Sequence, residues 1–321
     1  MIDQPHSPEA VDRVGIVGAG LMGHGIALSF AASGRTVTLY DADEDTLAES
    51  LSRIRSGAET LARHDRVNDP ENVVERVTTC RSIATTVEGA DFVTEAVAED
   101  LEIKRAVFRE LDEHAPAQSV LATNTSGLSI TSIAEAVSTP ARVVGTHWFN
   151  PPYIVPLVEV VRGGKTADAV MDATYDLMAT IEKTPVRVEK DITGFIGNRI
   201  QLAMTYEAFS LLDAGVASAE DIDRAVKAGF GFRLPALGVF EKVDHSGLEV
   251  HHAIESYLMP ELDRGTDPNP ILSELIEQGR TGVRSGQGVY EYSDVDPETV
   301  YQKRDEALLS YLDTYDQTTD D

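Results

Sequence analysis

His147 and Glu159 are the residues whose types and spacing first suggest chemistry, an imidazole and a carboxylate at the ends of two short apolar runs. Arg142 to Gly145, just before the histidine, reads as a β-strand, and Pro156 to Val161, which contains the glutamate, reads as another across a proline-rich loop. A carboxylate among valines is costly to desolvate unless something hydrogen-bonds it, so Glu159 needs a cationic or imidazole partner. His147 is the nearest candidate. By themselves the two residues also fit a structural histidine in a core and a half-exposed glutamate on an edge strand. The rest of the chain decides between these readings.

A pair of this kind needs a scaffold, and the beginning of the chain supplies one. The strand-like Val11 to Val17 runs into Gly18-Ala-Gly20-Leu21-Met22-Gly23, and a helical pattern follows from Gly25 to Ala32. In this setting Gly18 permits a tight turn, and Gly20 lets backbone approach a pyrophosphate. Gly23 brings the helix onto the strand with its N-terminus toward the anion, and Leu21 and Met22 complete the loop. Thr36 to Tyr40 is a second strand, and Asp41 at its end lies 23 residues beyond Gly18, near the offset of a ribose-binding acid. Acidic residues follow through Asp43, Glu44 and Asp45 with no cation to receive a 2′-phosphate, so the expected cofactor is NAD rather than NADP.

Further on, Asp43 to Ala62 reads as a long polar helix, with Leu47, Leu51, Ile54, Ala58 and Leu61 on one side. A short helix begins at Asp69, and short strands are expected at Val77 to Thr79, Asp91 to Thr94, Ser119 to Ala122 and Thr184 to Val188. Glu99 follows the second of these. Lys104 lies on a helix from Leu101 to Glu113, where it is expected to be solvated unless the crevice at the strand ends uses it. Thr123, Asn124, Thr125 and Ser126 cluster where the ligand crevice of an open α/β sheet lies. After Thr193 the strand signals stop. Gly194 to Leu212 reads as one largely apolar helix, Ser218 as the N-cap of the next, and Asp313 to Asp321 as a frayed acidic tail. The expected fold is therefore α/β, a mostly parallel Rossmann-type sheet domain over residues 1–190 followed by an all-helical domain over residues 191–321.

Composition narrows the function classes. The formal charge of −27, from 54 acidic and 27 basic residues, would repel nucleic acid and anionic membranes. It also matches proteins adapted to a high-salt cytoplasm, with a merely acidic enzyme as the alternative. The single cysteine, Cys80, rules out an intrachain disulfide, no Cys/His spacing suggests a metal site, and no apolar run is long enough to span a membrane. A soluble, cytoplasmic protein acting on a small molecule is expected.

Four motifs in order give the chain a family likeness: Gly18 to Gly23, Asn124-Thr-Ser126, His147-Trp-Phe-Asn150-Pro, and Gly194-Phe-Ile-Gly-Asn198-Arg. Together with Gly282 to Tyr290 near the end, they resemble the L-3-hydroxyacyl-CoA dehydrogenase family over nearly the whole length. The resemblance implies that His147 is a general base oriented by Glu159, and that Ser126 and Asn198 hold the substrate oxygen. It assigns Asp41 to the adenosine ribose and places Glu99, Lys104 and Asn150 near the nicotinamide half. It also implies a homodimer formed through the helical domain. An imidazole titrating near neutrality suits proton transfer in both directions of such a reaction. This chain departs from the family at Gly127, where a second serine is common, and in its helical arm, which offers only Arg53, Arg55, Arg63, His64 and Arg66 in place of a lysine-rich patch. The loop from Gly229 to Gly238 also lacks the usual Gly-Pro. The leading expectation is a 3-hydroxyacyl-CoA substrate such as 3-hydroxybutyryl-CoA. The alternative is a small CoA-free 3-hydroxy acid, as in gulonate or carnitine dehydrogenases, with Arg233 or another base binding its carboxylate.

Overall fold

The computed structural model describes residues 5–319. The chain begins as alternating strands and helices: β1 (Arg13–Val17), α1 (Gly23–Ala32), β2 (Thr36–Tyr40), α2 (Glu44–Arg63), α3 (Pro70–Glu75) and β3 (Val77–Cys80). A second run continues with α4 (Ile83–Val87), β4 (Phe92–Glu95), α5 (Leu101–His114), β5 (Val120–Thr123), α6 (Ile130–Ala134) and β6 (Val143–Trp148). Then come β7 (Leu157–Val161), α7 (Asp168–Thr180) and β8 (Thr184–Val188).

All eight strands form one sheet in the order β3-β2-β1-β4-β5-β6-β7-β8, with β6 and β7 its only antiparallel neighbours. Every residue of β4, β5 and β6 is buried, as strands covered on both faces must be. The chain leaves β1 toward β2 and returns on the other side at β4, so the strand order reverses there and a crevice opens beyond the carboxyl ends. Those ends carry Gly18, Glu95, Asn124 and His147.

The turn to antiparallel at β7 has a direct consequence for the site. It sets Glu159 opposite His147 in the ladder, on adjacent strands. Cores on both sides of the sheet draw on Ile16, Leu39, Phe92, Phe108, Leu121 and Val144, all essentially inaccessible to water. Capping follows the local sequence: Asp43, Asp69, Ser82, Asp100 and Ser129 each accept from backbone amides at the starts of α2 to α6.

Helices make up nearly all of the remainder: α8 (Gly197–Asp213), α9 (Ala219–Ala228), α10 (Phe230–Arg233), α11 (Val239–Ser246), α12 (Leu248–Leu258), α13 (Pro270–Glu277) and α14 (Pro297–Thr319). Two compact units result, Met1–Asn198 and Arg199–Asp321. Ser218 caps α9 by accepting from the Asp221 amide.

Several expectations require correction. α8 starts at Gly197 instead of Gly194, because Gly194 and Phe195 take left-handed φ values of 76° and 48° and break the helix before it begins. The tail is not frayed over its described part, since α14 continues to Thr319; Asp320 and Asp321 lie outside the described residues. Lys104 is not solvated. Its side chain is 1% exposed, turned inward from α5. Among the described residues, no helix is long and apolar enough to cross a membrane.

Candidate active site

At the β1–α1 turn, Gly18 has φ 108°, and a Cβ there would lie 2.5 Å from the Ala96 carbonyl oxygen. A side chain on Gly23 would collide with the Gly18 carbonyl. Gly20 is different: a Cβ there would meet nothing within 4 Å, so its missing side chain leaves room that the protein itself does not use. That room lies at the start of α1, where backbone amides have no helical partner and favour an anion. The exposed Leu21 and partly covered Met22 flank it. Asp41 fixes the loop from behind, with Oδ2 accepting the Ala19 amide at 2.7 Å and Oδ1 the Asp43 amide at 2.9 Å. Donors at the loop, open space at Gly20 and a carboxylate at the end of β2 fit a dinucleotide with unmodified ribose hydroxyls.

At β6, His147 is 4% exposed and Glu159 fully buried. Their Nδ1 and Oε2 atoms are 2.6 Å apart. A carboxylate can only accept, so Nδ1 carries the proton and Nε2 is left to take one up. The other oxygen of Glu159 accepts the backbone amides of Ile196 and Gly197, both at 2.9 Å. Burial opposes the charge on Glu159, but the His147 bond and the Gly197 and Ile196 amides outweigh it and hold the carboxyl below the usual range. The imidazole packs against the tilted rings of Phe149 and Phe195, with ring centroids 4.6 Å and 5.6 Å away. A Cβ on Gly197 would lie 2.4 Å from the Phe149 ring, so a side chain where the chain enters α8 would displace that ring from beside the histidine.

One residue into α8, Asn198 donates from Nδ2 to the Ser126 carbonyl at 3.0 Å, bringing these two predicted residues together. Ser126 also gives its amide to Glu99 Oε1 at 2.8 Å, and Glu99 is 3.4 Å from Lys104 Nζ. Burial disfavours ionised Glu99, but Thr125, Lys104 and the Ser126 amide together hold its carboxyl below the usual range. Asn150 is exposed at the start of the β6–β7 loop. Asn124 Oδ1 accepts the Trp148 amide at 3.0 Å and ties the end of β5 to that of β6.

Three further polar groups around this site belong to no motif in the sequence. Glu95, fully buried at the end of β4, pairs with Lys104 at 2.7 Å and accepts from the Thr123 hydroxyl at 2.7 Å. Asp191 accepts from the Ser129 and Thr131 hydroxyls and the Ile130 and Thr131 amides, tying the approach to α8 to the start of α6. Lys183 donates to the Pro152 and Val155 carbonyls at 2.7 Å and 3.2 Å and lies over the Trp148 ring, clamping the loop after Asn150. Burial brings its amine down to about 8. The available signal was a charged residue at the end of, or next to, an apolar strand, the same signal that drew attention to Glu159.

A switch-point crevice with a glycine loop and a ribose-type acid, beside an imidazole held on a buried carboxylate, defines a nicotinamide-dependent dehydrogenase of secondary alcohols. Residues 13–192 match the family model of the 3-hydroxyacyl-CoA dehydrogenase NAD-binding domain, and residues 194–292 match that of its C-terminal domain. The 5-formyl-3-hydroxy-2-methylpyridine 4-carboxylate 5-dehydrogenase of Mesorhizobium japonicum is 33% identical over 300 residues, 94% of this chain and 97% of that protein. Mitochondrial hydroxyacyl-coenzyme A dehydrogenase of Sus scrofa is 36% identical over 291 residues, 88% of this chain and 91% of that protein. A solved structure of a 5-formyl-3-hydroxy-2-methylpyridine 4-carboxylic acid 5-dehydrogenase, an NAD+-dependent dismutase, superposes with TM-score 0.89 at 31% identity, covering 95% of this chain and 99% of that one. The chain belongs to the 3-hydroxyacyl-CoA dehydrogenase family and is an NAD-dependent oxidoreductase acting on CH–OH groups.

Proposed function

We propose that the chain oxidises an L-3-hydroxyacyl-CoA, such as 3-hydroxybutyryl-CoA, to the 3-ketoacyl-CoA, with His147 as general base. The observation that carries this is the 2.6 Å bond from His147 to Glu159. It holds the imidazole in the tautomer whose Nε2 can accept the substrate's hydroxyl proton, and it places a negative charge beside the imidazolium that forms. NAD, when bound, supplies the acceptor for the hydride leaving the same carbon. Ser126 and Asn198 hold the substrate oxygen, Gly18 to Gly23 and Asp41 hold the dinucleotide, and Glu99, Lys104 and Asn150 serve its nicotinamide half.

The domains in this reading are residues 1–190 for the cofactor and residues 191–321 for substrate and self-association. The helical part supports a homodimer: Phe232, Phe240 and Tyr257 are 78%, 84% and 67% exposed in the single chain. The compartment in this reading is the cytoplasm.

A second reading, a small CoA-free acid, draws on the arm. From residue 44 to residue 66, Arg53, Arg55, Arg63 and Arg66 are set against Glu44, Asp45, Glu49, Glu59 and Asp65, so the arm has no positive excess for CoA phosphates. Arg53 pairs with Glu49, and Arg55 with Glu71. The pyridine carboxylate named for the Mesorhizobium relative is a CoA-free acid of this kind. Such exposed pairs are weak and exchange readily for phosphate, so CoA remains the leading reading.

Turnover of 3-hydroxybutyryl-CoA and of free 3-hydroxy acids, followed by NADH absorbance, distinguishes the two. With CoA as substrate, Arg63→Ala with Arg66→Ala should raise KM with little change in kcat, and Arg233→Ala should matter less. Preference for free acids, with Arg233 dominant, would overturn the CoA assignment and leave the chemistry at His147 intact.

A further inference from the structure

Glu95 and Lys104 form an ion pair with 0% and 1% side-chain exposure, and the proton transfer described above uses neither. Replacing such a pair with apolar side chains often leaves stability unchanged or raises it, so stability alone gives little reason to keep one. Its surroundings point to another role. Glu95 sits at the carboxyl end of β4, where Oε1 accepts the Lys104 amine at 2.7 Å and the Val97 amide at 2.7 Å, while Oε2 accepts the Thr123 hydroxyl at 2.7 Å. Lys104 reaches past it to the Val97 carbonyl and, at 3.4 Å, to Glu99 Oε2. Glu99 spends its other oxygen on three donors of one loop: the Thr125 hydroxyl at 2.6 Å, the Ser126 amide at 2.8 Å and the Gly127 amide at 3.2 Å.

We propose that Glu95, Lys104 and Glu99 form a positioning relay that sets the place of Ser126, with the buried pair anchoring the one partly exposed carboxylate that grips the 125–127 loop. This rests on the reading of Ser126 as a residue that holds the substrate oxygen. The physical reason for a relay is that the loop is short and polar and carries no ladder bonds of its own beyond β5. Glu99, 44% exposed on its side chain, would wander in water without a fixed cation beside it. Lys104 is a fixed cation because Glu95 holds it from the buried side.

The test compares the wild type with Glu95→Gln combined with Lys104→Met, which removes both buried charges together and leaves no orphan ion, and with Glu99→Gln. Hydrogen exchange at the Ser126 and Gly127 amides needs no substrate. Both variants should speed it by roughly tenfold, while exchange in β1 and β6 stays at the wild-type rate. Steady-state turnover of 3-hydroxybutyryl-CoA is then measured at saturating NAD with and without Ser126→Ala in each background.

In a relay, the Glu95→Gln, Lys104→Met pair lowers kcat/KM by at least as much as Ser126→Ala, and adding Ser126→Ala to it lowers kcat/KM no further. Additive losses, or unchanged exchange at residues 126 and 127, would overturn the relay. If Ser126→Ala alone leaves turnover unchanged, the reading of Ser126 is what fails, and the exchange data still decide whether the relay holds the loop. Should the buried double variant fail to fold, Glu99→Gln carries the same comparison at a partly exposed position.

Discussion

Asp41 braces the glycine loop through the Ala19 amide, just beyond the end of β2, and the proposed contact to the ribose hydroxyls falls to the same carboxylate. A negative charge there repels a 2′-phosphate, so Asp41→Ala should narrow the preference for NAD over NADP, measured as the ratio of the two kcat/KM values. Comparable values for both cofactors in the wild-type enzyme would contradict this assignment. Its setting was legible in the sequence because strand, glycine turn, helix and second strand all lie within one short local stretch. Glu159 was legible for a different reason, because a lone carboxylate between valines has to find a partner. The burial of Lys104 was not, since a lysine on a polar helix reads as solvated. The glutamate that draws it inward lies on β4, and only the packing of α5 over the sheet brings the two together.

At the scale of elements, the connection from β8 to α8 matters most, because it delivers Asn198 beside Ser126 and the Ile196 and Gly197 amides to Glu159. Asp191 pins that connection to α6. Burial disfavours its charge, but the Thr131 hydroxyl and amide, the Ser129 hydroxyl and the Ile130 amide outweigh burial and hold its carboxyl below the usual range. A carboxyl depressed in the folded state contributes stability above its unfolded pKa and loses it as pH falls through the folded value. Asp191→Asn should therefore lower Tm at pH 7, and the gap to wild type should shrink as pH falls below the ordinary aspartate pKa of about 3.9. A constant gap over that range would show that the charge contributes nothing. The sequence placed the closing strand Thr184 to Val188 correctly, yet it read the following helix three residues too early. Apolar spacing runs unbroken through Phe195 and Ile196, and only the backbone reveals the left-handed turn at Gly194 and Phe195. Likewise β6 and β7 read as strands, while their antiparallel register, which puts His147 against Glu159, depends on the path of the loop between them.

At the scale of the whole molecule, the formal charge of −27 is the dominant quantity. Carboxylates at that density repel one another across the surface, and salt screens the repulsion over about 10 Å at 0.1 M and over much shorter distances near 1 M. If the acidity is an adaptation to salt, Tm should fall when KCl is lowered from molar to dilute buffer, and any dimer formed through the helical unit should dissociate under the same conditions. Identical melting curves at both ends of that range would favour an enzyme that is merely acidic.

The central claim is that His147 is the base, and His147→Gln tests it most directly. The variant should fold and bind NADH with wild-type affinity while turnover of 3-hydroxybutyryl-CoA falls by roughly two orders of magnitude or more. Near-normal turnover in a folded, NADH-binding variant would contradict the claim and return His147 and Glu159 to the role of a buried structural pair.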